Sequence, residues 1–389
     1  MLVTLAVVLI ALVLRSPVVA VAPVVDVLSV DLGLTPTVAG LLTSLPVLCF
    51  AVFAPLATLL TNRAGTPFAV TACALLIAIG CVVRSLDGTA TLFLGTVVIG
   101  IAIAIGNIVL PVVIRREFTG RRAKVMSGVY TSVLNVGSMV ATLATAPLTD
   151  AVGWRIAIAV WMVVALAGVV AVSRVNGWRP MVVPTRVPHG RDASGALPPS
   201  AIRNPTVWLL TLGFAGQAFA YYGITAWLPT LLRDEEGYSA AAAGGISAIF
   251  QVCAIIGAFL VPAIANRFSD RVAIAVIGTL WLITPLGFLV APQLWWLWCV
   301  LGGAAQGGGF TAVFIIIVQL GRSDRHVGSI SGLVQGLAYV VGAAGPTVIG
   351  AVHQVTGGWS VPLLIVLGAA ATYGVAASIA AARASRPTA

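Results

Sequence analysis

Charge is what this chain lacks. Only 8% of its 389 residues are Asp, Glu, Lys or Arg, and 60% are hydrophobic. A water-soluble domain carries roughly a quarter charged residues, so a soluble globular protein is excluded; mean hydropathy is +1.08. Catalytic groups are equally scarce. The histidines, His189, His326 and His353, fall in loops or at helix ends. No nucleophile–base pair or metal-ligating cluster lies at depth, so neither an enzyme nor a resident cofactor is expected. The five cysteines, Cys49, Cys73, Cys81, Cys253 and Cys299, have no metal-ligand spacing and read as small packing residues. The glycine-rich "GGAAQGGG" (302–309) lies inside an apolar run and lacks a Lys-Ser/Thr pair, so a nucleotide-phosphate site is not expected there.

Long apolar runs are what is there. A bilayer-spanning helix needs about 20 apolar residues, and twelve stretches qualify: 3–27, 38–61, 67–84, 90–113, 125–147, 155–173, 205–228, 240–265, 272–291, 294–319, 327–350 and 360–382. They are continuously apolar, without the roughly 10-residue alternation of barrel strands. The reading is an all-α integral membrane protein with the lipid bilayer as its main partner. The net charge of +10 follows topology and not nucleic acid: with a cytosolic N-terminus, the inside loops hold 17 of the 21 basic residues. Arg84, Arg155 and Arg233 fall at outer loops or helix ends. The positive-inside rule then puts both termini in the cytosol of a bacterial plasma membrane. Trp281, Trp295, Trp296 and Trp298 are expected near outer helix ends, as an interfacial belt.

The two halves resemble each other. "AGLLTSLPVLCFAVFAPLATLLTNR" (39–63) and "AGGISAIFQVCAIIGAFLVPAIANR" (243–267) share Ala39/Ala243, Gly40/Gly244, Cys49/Cys253, Ala54/Ala258, Leu56/Leu260, Asn62/Asn266 and Arg63/Arg267, always 204 apart. Gly153-Trp154 and Gly358-Trp359 match at 205. A fixed offset at matching topological positions indicates an internal duplication. The expected domains are a six-helix bundle over 1–173, a polar, Pro- and Arg-rich cytosolic linker over 174–204, and a second six-helix bundle over 205–389. Six spans, a linker and six more is the arrangement of the major facilitators, whose substrate sits near the midplane between halves that rock.

Arg15 stands about 12 residues into the first run, roughly 18 Å along a helix. A cation at the bilayer centre costs about 2.5–3.5 kcal/mol on insertion scales. No other arginine, lysine or carboxylate lies comparably deep in the reading, and Asp26 is about 16 Å further along an ideal helix. Arg15 is therefore expected to face a wet cavity and take an anion, since a planar guanidinium matches small oxyanions or amides. The competing reading has it capping buried helix carbonyls or pairing with an acid that this topology places elsewhere. Pro17 is expected to free a carbonyl one turn back and kink the helix.

Other polar residues recur at helical period: Thr131, Asn135, Ser138 and Thr142; Gln335 and Tyr339; Gln217, Tyr221 and Thr225, with Tyr222 alongside. Such stripes line a cavity or hydrogen-bond between helices. Asn135, Gln217, Tyr221, Gln335 and Tyr339, with Asn107 and Gln306, are the expected lining. Gly100, Gly106, Gly302, Gly303 and Gly307 to Gly309 read as close helix contacts.

"LRSPVVAVAPVV", "GLLTSLPVLCFAVFAPLA", "LPVVIRREF", "AWLPTLL" and "VQGLAYVVGAAGP" together resemble the cyanate/2-nitroimidazole transporter group of the major facilitators, over nearly the whole chain. The resemblance implies alternating-access secondary transport of a small solute such as cyanate or a nitroimidazole-like heterocycle. It also implies that Arg15 occupies the group's arginine position. One stretch departs from the wider family's G-x-x-x-D-R-x-G-R-R: "TLLTNRAGTP" keeps only Arg63 and Gly65, with Thr58 for the glycine, Asn62 for the acid and Thr66-Pro67 for the basic pair. A weakened inside gate is expected, with Arg63, Arg267 and Asp270 capping helix ends. Asp26 and His353 are the only proton-carrier candidates, so proton-linked transport, anion exchange and uniport stay open. A monomer is expected. An efflux carrier is the alternative; its cavity should be larger and more aromatic.

Overall fold

The structure, a computed structural model, describes residues 2–34, 36–184, 201–238 and 240–384. Every regular element among them is helical. The first span departs from the single helix expected over 3–27. It is built from α1 (Leu2–Val13), α2 (Ser16–Val19), a 3-10 turn at Ala22–Val24 and α3 (Val25–Leu32). Pro17 explains the first break. Its ring clashes with the carbonyl four residues back, which belongs to Val13, the last residue of α1. Pro17 itself sits in the first turn of α2, where a missing N–H costs nothing.

The next spans are α4 (Pro36–Ala64), α5 (Thr66–Arg84), α6 (Thr89–Glu117) and α7 (Gly120–Val152). The sixth is also divided, into α8 (Trp154–Ala159) and α9 (Trp161–Asn176). The connecting segment carries α10 (Arg179–Val182) and a 3-10 turn at Ala201–Arg203, while Arg186, His189 and Arg191 lie outside the described residues. Then follow α11 (Pro205–Glu236), α12 (Ala240–Arg267), α13 (Asp270–Val290), α14 (Trp295–Leu320), α15 (Asp324–Thr356) and α16 (Ser360–Ala384). Among the described residues, twelve helices or helix runs are long and apolar enough to cross a membrane, in agreement with the sequence.

Contacts divide the chain into two compact units. The first gathers the described residues of Met1–Phe118, Val133–Pro198 and Gly321–Gly332; the second gathers Thr119–Ser132, those of Pro199–Leu320, and Leu333–Ala389. The first turns of α7 and α15 thus cluster away from the rest of their own helices. Both helices have 33 residues, about 50 Å at 1.5 Å per residue, longer than the roughly 30 Å apolar layer. Their charged starts therefore lie at or beyond its edge.

Close backbone approach sets the packing within each unit. In the second, a Cβ on Gly303 would run into Phe250 O and the Cys253 side chain; in the first, one on Gly100 would run into Cys49. The two cysteines are repeat partners, each packed on a glycine of the fourth span of its half. All five cysteines are buried and free, as small packing residues should be. One expectation fails: Trp281 is fully buried, its ring 6.5 Å from that of Phe250, and belongs to the packing of α13. Trp296 does stand exposed, at 51%.

Candidate functional site

In the first unit, polar groups gather where the first span breaks. Arg15 occupies the turn between α1 and α2, with φ −121° and ψ −34°. Its carbonyl accepts from Val18 N and Val19 N, both at 3.1 Å, so the bend is closed by backbone bonds. The half-buried side chain donates from Nη1 to Asn135 Oδ1 on α7 at 3.0 Å. Asn135 is 1% exposed. Beside it, Gly137 lets α7 approach the bend, since a Cβ there would meet Leu12 O and Ser16 Oγ. Ser16 Oγ in turn donates to Leu12 O at 2.5 Å. Arg15 thus has a neutral amide as a protein partner, one that the sequence spacing alone did not assign to it.

The rest of the α7 stripe behaves differently. Thr131, Ser138 and Thr142 donate to the carbonyls of Ser127, Leu134 and Ser138 at 3.0, 3.1 and 3.0 Å. Hydroxyls that bond their own helix four residues back are satisfied locally. Periodicity alone does not separate them from Asn135. Asn107, on α6, is buried at 7% exposure.

In the second unit the expected amides are more deeply enclosed. Gln217 and Gln306 are both 0% exposed. Gln217 Nε2 donates to the Gln306 carbonyl at 3.0 Å. Gln217 Oε1 and both side-chain polar atoms of Gln306 have no hydrogen-bond partner among the described residues. Unpaired buried amides cost free energy, so this is where a water or a polar solute would be held best. Gly309 makes room for Gln217, for a Cβ there would overlap its amide. Gln335 and Tyr339 are buried at 1% and 5%. Tyr221 Oη accepts from Gln251 Nε2 at 3.4 Å. Around them stands an aromatic cluster: Phe214 meets Phe310 at 5.2 Å and Tyr339 at 5.8 Å, and Tyr221 meets Phe310 at 5.8 Å, all edge-on.

Two polar residues escaped the sequence reading. Gln251 is a single amide in the apolar "AIFQVCAII", and that isolation was the available signal. Arg84 does stand at a helix end, the last residue of α5, but its side chain is not at the surface: it is 1% exposed, more buried than Arg15.

The departures around 58–67 have structural counterparts. Asn62, in place of the acid, donates to Ser329 Oγ at 3.2 Å. Arg115 Nε donates to Gly321 O at 2.9 Å, and its Nη1 lies 3.6 Å from Asp324. Asp270 accepts from Lys124 at 2.7 Å and from Gln319 at 3.0 Å. Arg63 and Arg267 are exposed in the last turns of α4 and α12, and Arg267 lies 5.5 Å over the Phe268 ring. The Asp26 side chain lies outside the described residues. His353 is half-buried and stacks on Trp359 at 4.0 Å.

The family profile of the Major Facilitator Superfamily matches residues 4–346. The chain is 31% identical over 359 residues to the 2-nitroimidazole transporter of Escherichia coli (strain K12), covering 92% of this chain and 89% of that protein. It is 27% identical over 367 residues to the cyanate transport protein CynX of the same organism, covering 93% of each. The human organic anion transporter MFSD10 has the same fold, with a TM-score of 0.78 at 15% identity over 97% of this chain and 99% of that one.

Proposed function

Because the chain belongs to the Major Facilitator Superfamily and is a multi-pass transporter, we propose that it carries a small anionic or compact polar solute by alternating access, with Arg15 as the main substrate-binding cation. The observation that carries this reading is the bond from Arg15 to Asn135. An amide oxygen orients a guanidinium without contributing a charge to that contact, and the planar fork suits a small flat oxyanion or an amide-like ring edge. Relatives named for cyanate and 2-nitroimidazole bracket this chemistry. In the second unit, the Gln217 and Gln306 amides offer both donors and acceptors, and the edge-on rings of Phe214, Tyr221, Phe310 and Tyr339 favour a planar solute. The solute gradient, alone or with a co-transported ion, supplies the energy, and the inner membrane is the site of action.

Purified protein should be titrated with cyanate, nitrate, small carboxylates and 2-nitroimidazole, with binding read by thermal shift or calorimetry. At least one should bind, and Arg15→Ala should weaken it by tenfold or more, about 1.4 kcal/mol. Arg15→Lys, with the charge but not the fork, should retain part of the affinity. Binding that survives Arg15→Ala unchanged would reject the assignment.

A further inference from the structure

Arg84 ends α5 with its side chain buried and directed at two backbone carbonyls: Nη1 donates to Pro17 O at 2.6 Å and Nη2 to Ile158 O at 3.3 Å. Neither acceptor is an ordinary mid-helix carbonyl. Pro17 lies in α2, which ends at Val19, and Ile158 lies in α8, which ends at Ala159. The last carbonyls of a helix have no backbone donor of their own, and a cation near such an end is favourable. No ion pair to Arg84 is found among the described residues. One buried guanidinium thus closes the interruption in the first span and the interruption in the sixth. Its seat is prepared by Gly95 on α6, where a Cβ would strike the Arg84 backbone.

Pro17 lies two residues beyond Arg15, on the far side of the same bend. Arg84 holds that bend through Pro17 O, while Leu12 O and Ser16 Oγ lie against Gly137, two residues from Asn135. We propose that Arg84 is a positioning residue for Arg15. By tying the Ser16–Val19 turn to α5 and α8, it fixes the direction in which the Arg15 guanidinium leaves the first span. This inference rests on the substrate role given to Arg15 above, but its backbone part is tested separately.

The test uses the full chain in detergent, with Arg84→Gln and Arg84→Lys beside the wild type. Hydrogen–deuterium exchange reads the bend with no solute present. In Arg84→Gln, amides of 14–24 and 158–163 should exchange about tenfold faster, the lower end of the loss expected for a charged hydrogen bond. Amides of α11 to α14 should stay unchanged. Should the glutamine variant fail to fold, the lysine variant decides: its ammonium reaches one carbonyl more readily than two, so one segment should loosen and the other hold. With cyanate or 2-nitroimidazole, the variants should raise the half-saturating concentration about tenfold while the maximal transport rate stays within roughly twofold, and lysine should recover part of the loss.

Local loosening in a protein whose wild type binds none of these solutes would support Arg84's hold on the bend and overturn the substrate role given to Arg15. Exchange unchanged at both segments, or raised evenly through α11 to α14, would overturn the inference. So would a lysine variant indistinguishable from wild type in exchange and affinity.

Discussion

Trp154 opens the sixth span and Trp359 stands immediately before the twelfth, 205 positions later. Each donates its indole N–H to an acid at the end of the first span of its own half: Asp31 at 3.1 Å and Asp234 at 3.0 Å. The surroundings then diverge. In the first half Arg155 bridges Asp31 at 3.0 Å and Asp87 at 2.9 Å, with its guanidinium 4.3 Å over the Trp154 ring. In the second half the residue after the tryptophan is Ser360. The neighbouring group there comes from another helix: His353 Nε2 lies 3.7 Å from Asp234 and the imidazole stacks on Trp359. Both halves keep a bond that ties their first and last spans together. What drifted is the group beside it, from a guanidinium next in sequence to the tryptophan to an imidazole on another helix.

If the indole–acid bond is the shared element, removing either tryptophan should be the most damaging change at these ends. Both are 5% exposed, and truncating a buried tryptophan to alanine costs about 3–5 kcal/mol. Trp154→Ala and Trp359→Ala should lower the unfolding midpoint in detergent by similar amounts. A tryptophan whose loss costs less than about 1 kcal/mol, below the range for such truncations, would show that one half closes its end by other means.

The tryptophan pair was legible in the sequence because Gly-Trp recurs at the repeat offset, and the twelve spans were legible because apolar runs have a length the bilayer sets. The interruptions were legible only in part. Pro17 announced a bend, and its reach back to Val13 fixes where α1 stops. The break at Val160 has neither proline nor glycine beside it, and nothing in "WRIAIAVWMVV" marks it. The burial of Arg84 was not legible because arginines near span ends normally reach the interface. Its burial depends on carbonyls 67 and 74 residues away in sequence, a tertiary fact that no local pattern carries. On α7 hydroxyls and amide recur at one period, and period does not tell that Asn135 bonds Arg15 while Thr131, Ser138 and Thr142 bond their own helix.

The acids sharpen the comparison further. Asp31 accepts from both Trp154 and Arg155, whereas Asp234 has Trp359 and a longer contact to histidine. Both carboxylates are more than a third exposed, at 43% and 41%, so solvent screening reduces each pair to about 1 kcal/mol or less. Asp31→Asn should therefore cost about 1 kcal/mol and Asp234→Asn about half that. A double-mutant cycle of Asp31→Asn with Arg155→Ala should return a coupling energy distinguishable from zero. Equal costs for the two acids would mean that Arg155 adds nothing to the indole bond.

The smallest effect belongs to His353. Its Nδ1 lies 3.2 Å from the Gly358 carbonyl and its Nε2 faces Asp234. Both neighbours are acceptors, so only the doubly protonated ring serves both, and a neutral ring leaves one nitrogen facing an acceptor without a hydrogen. At 3.7 Å and with a partly exposed acid the pair amounts to a few tenths of a kcal/mol. A double-mutant cycle of His353→Gln with Asp234→Asn, read from unfolding midpoints in detergent, should return a coupling energy of about that size. A coupling energy of zero would place the stacking on Trp359, and not the contact to the acid, as what the second half retained.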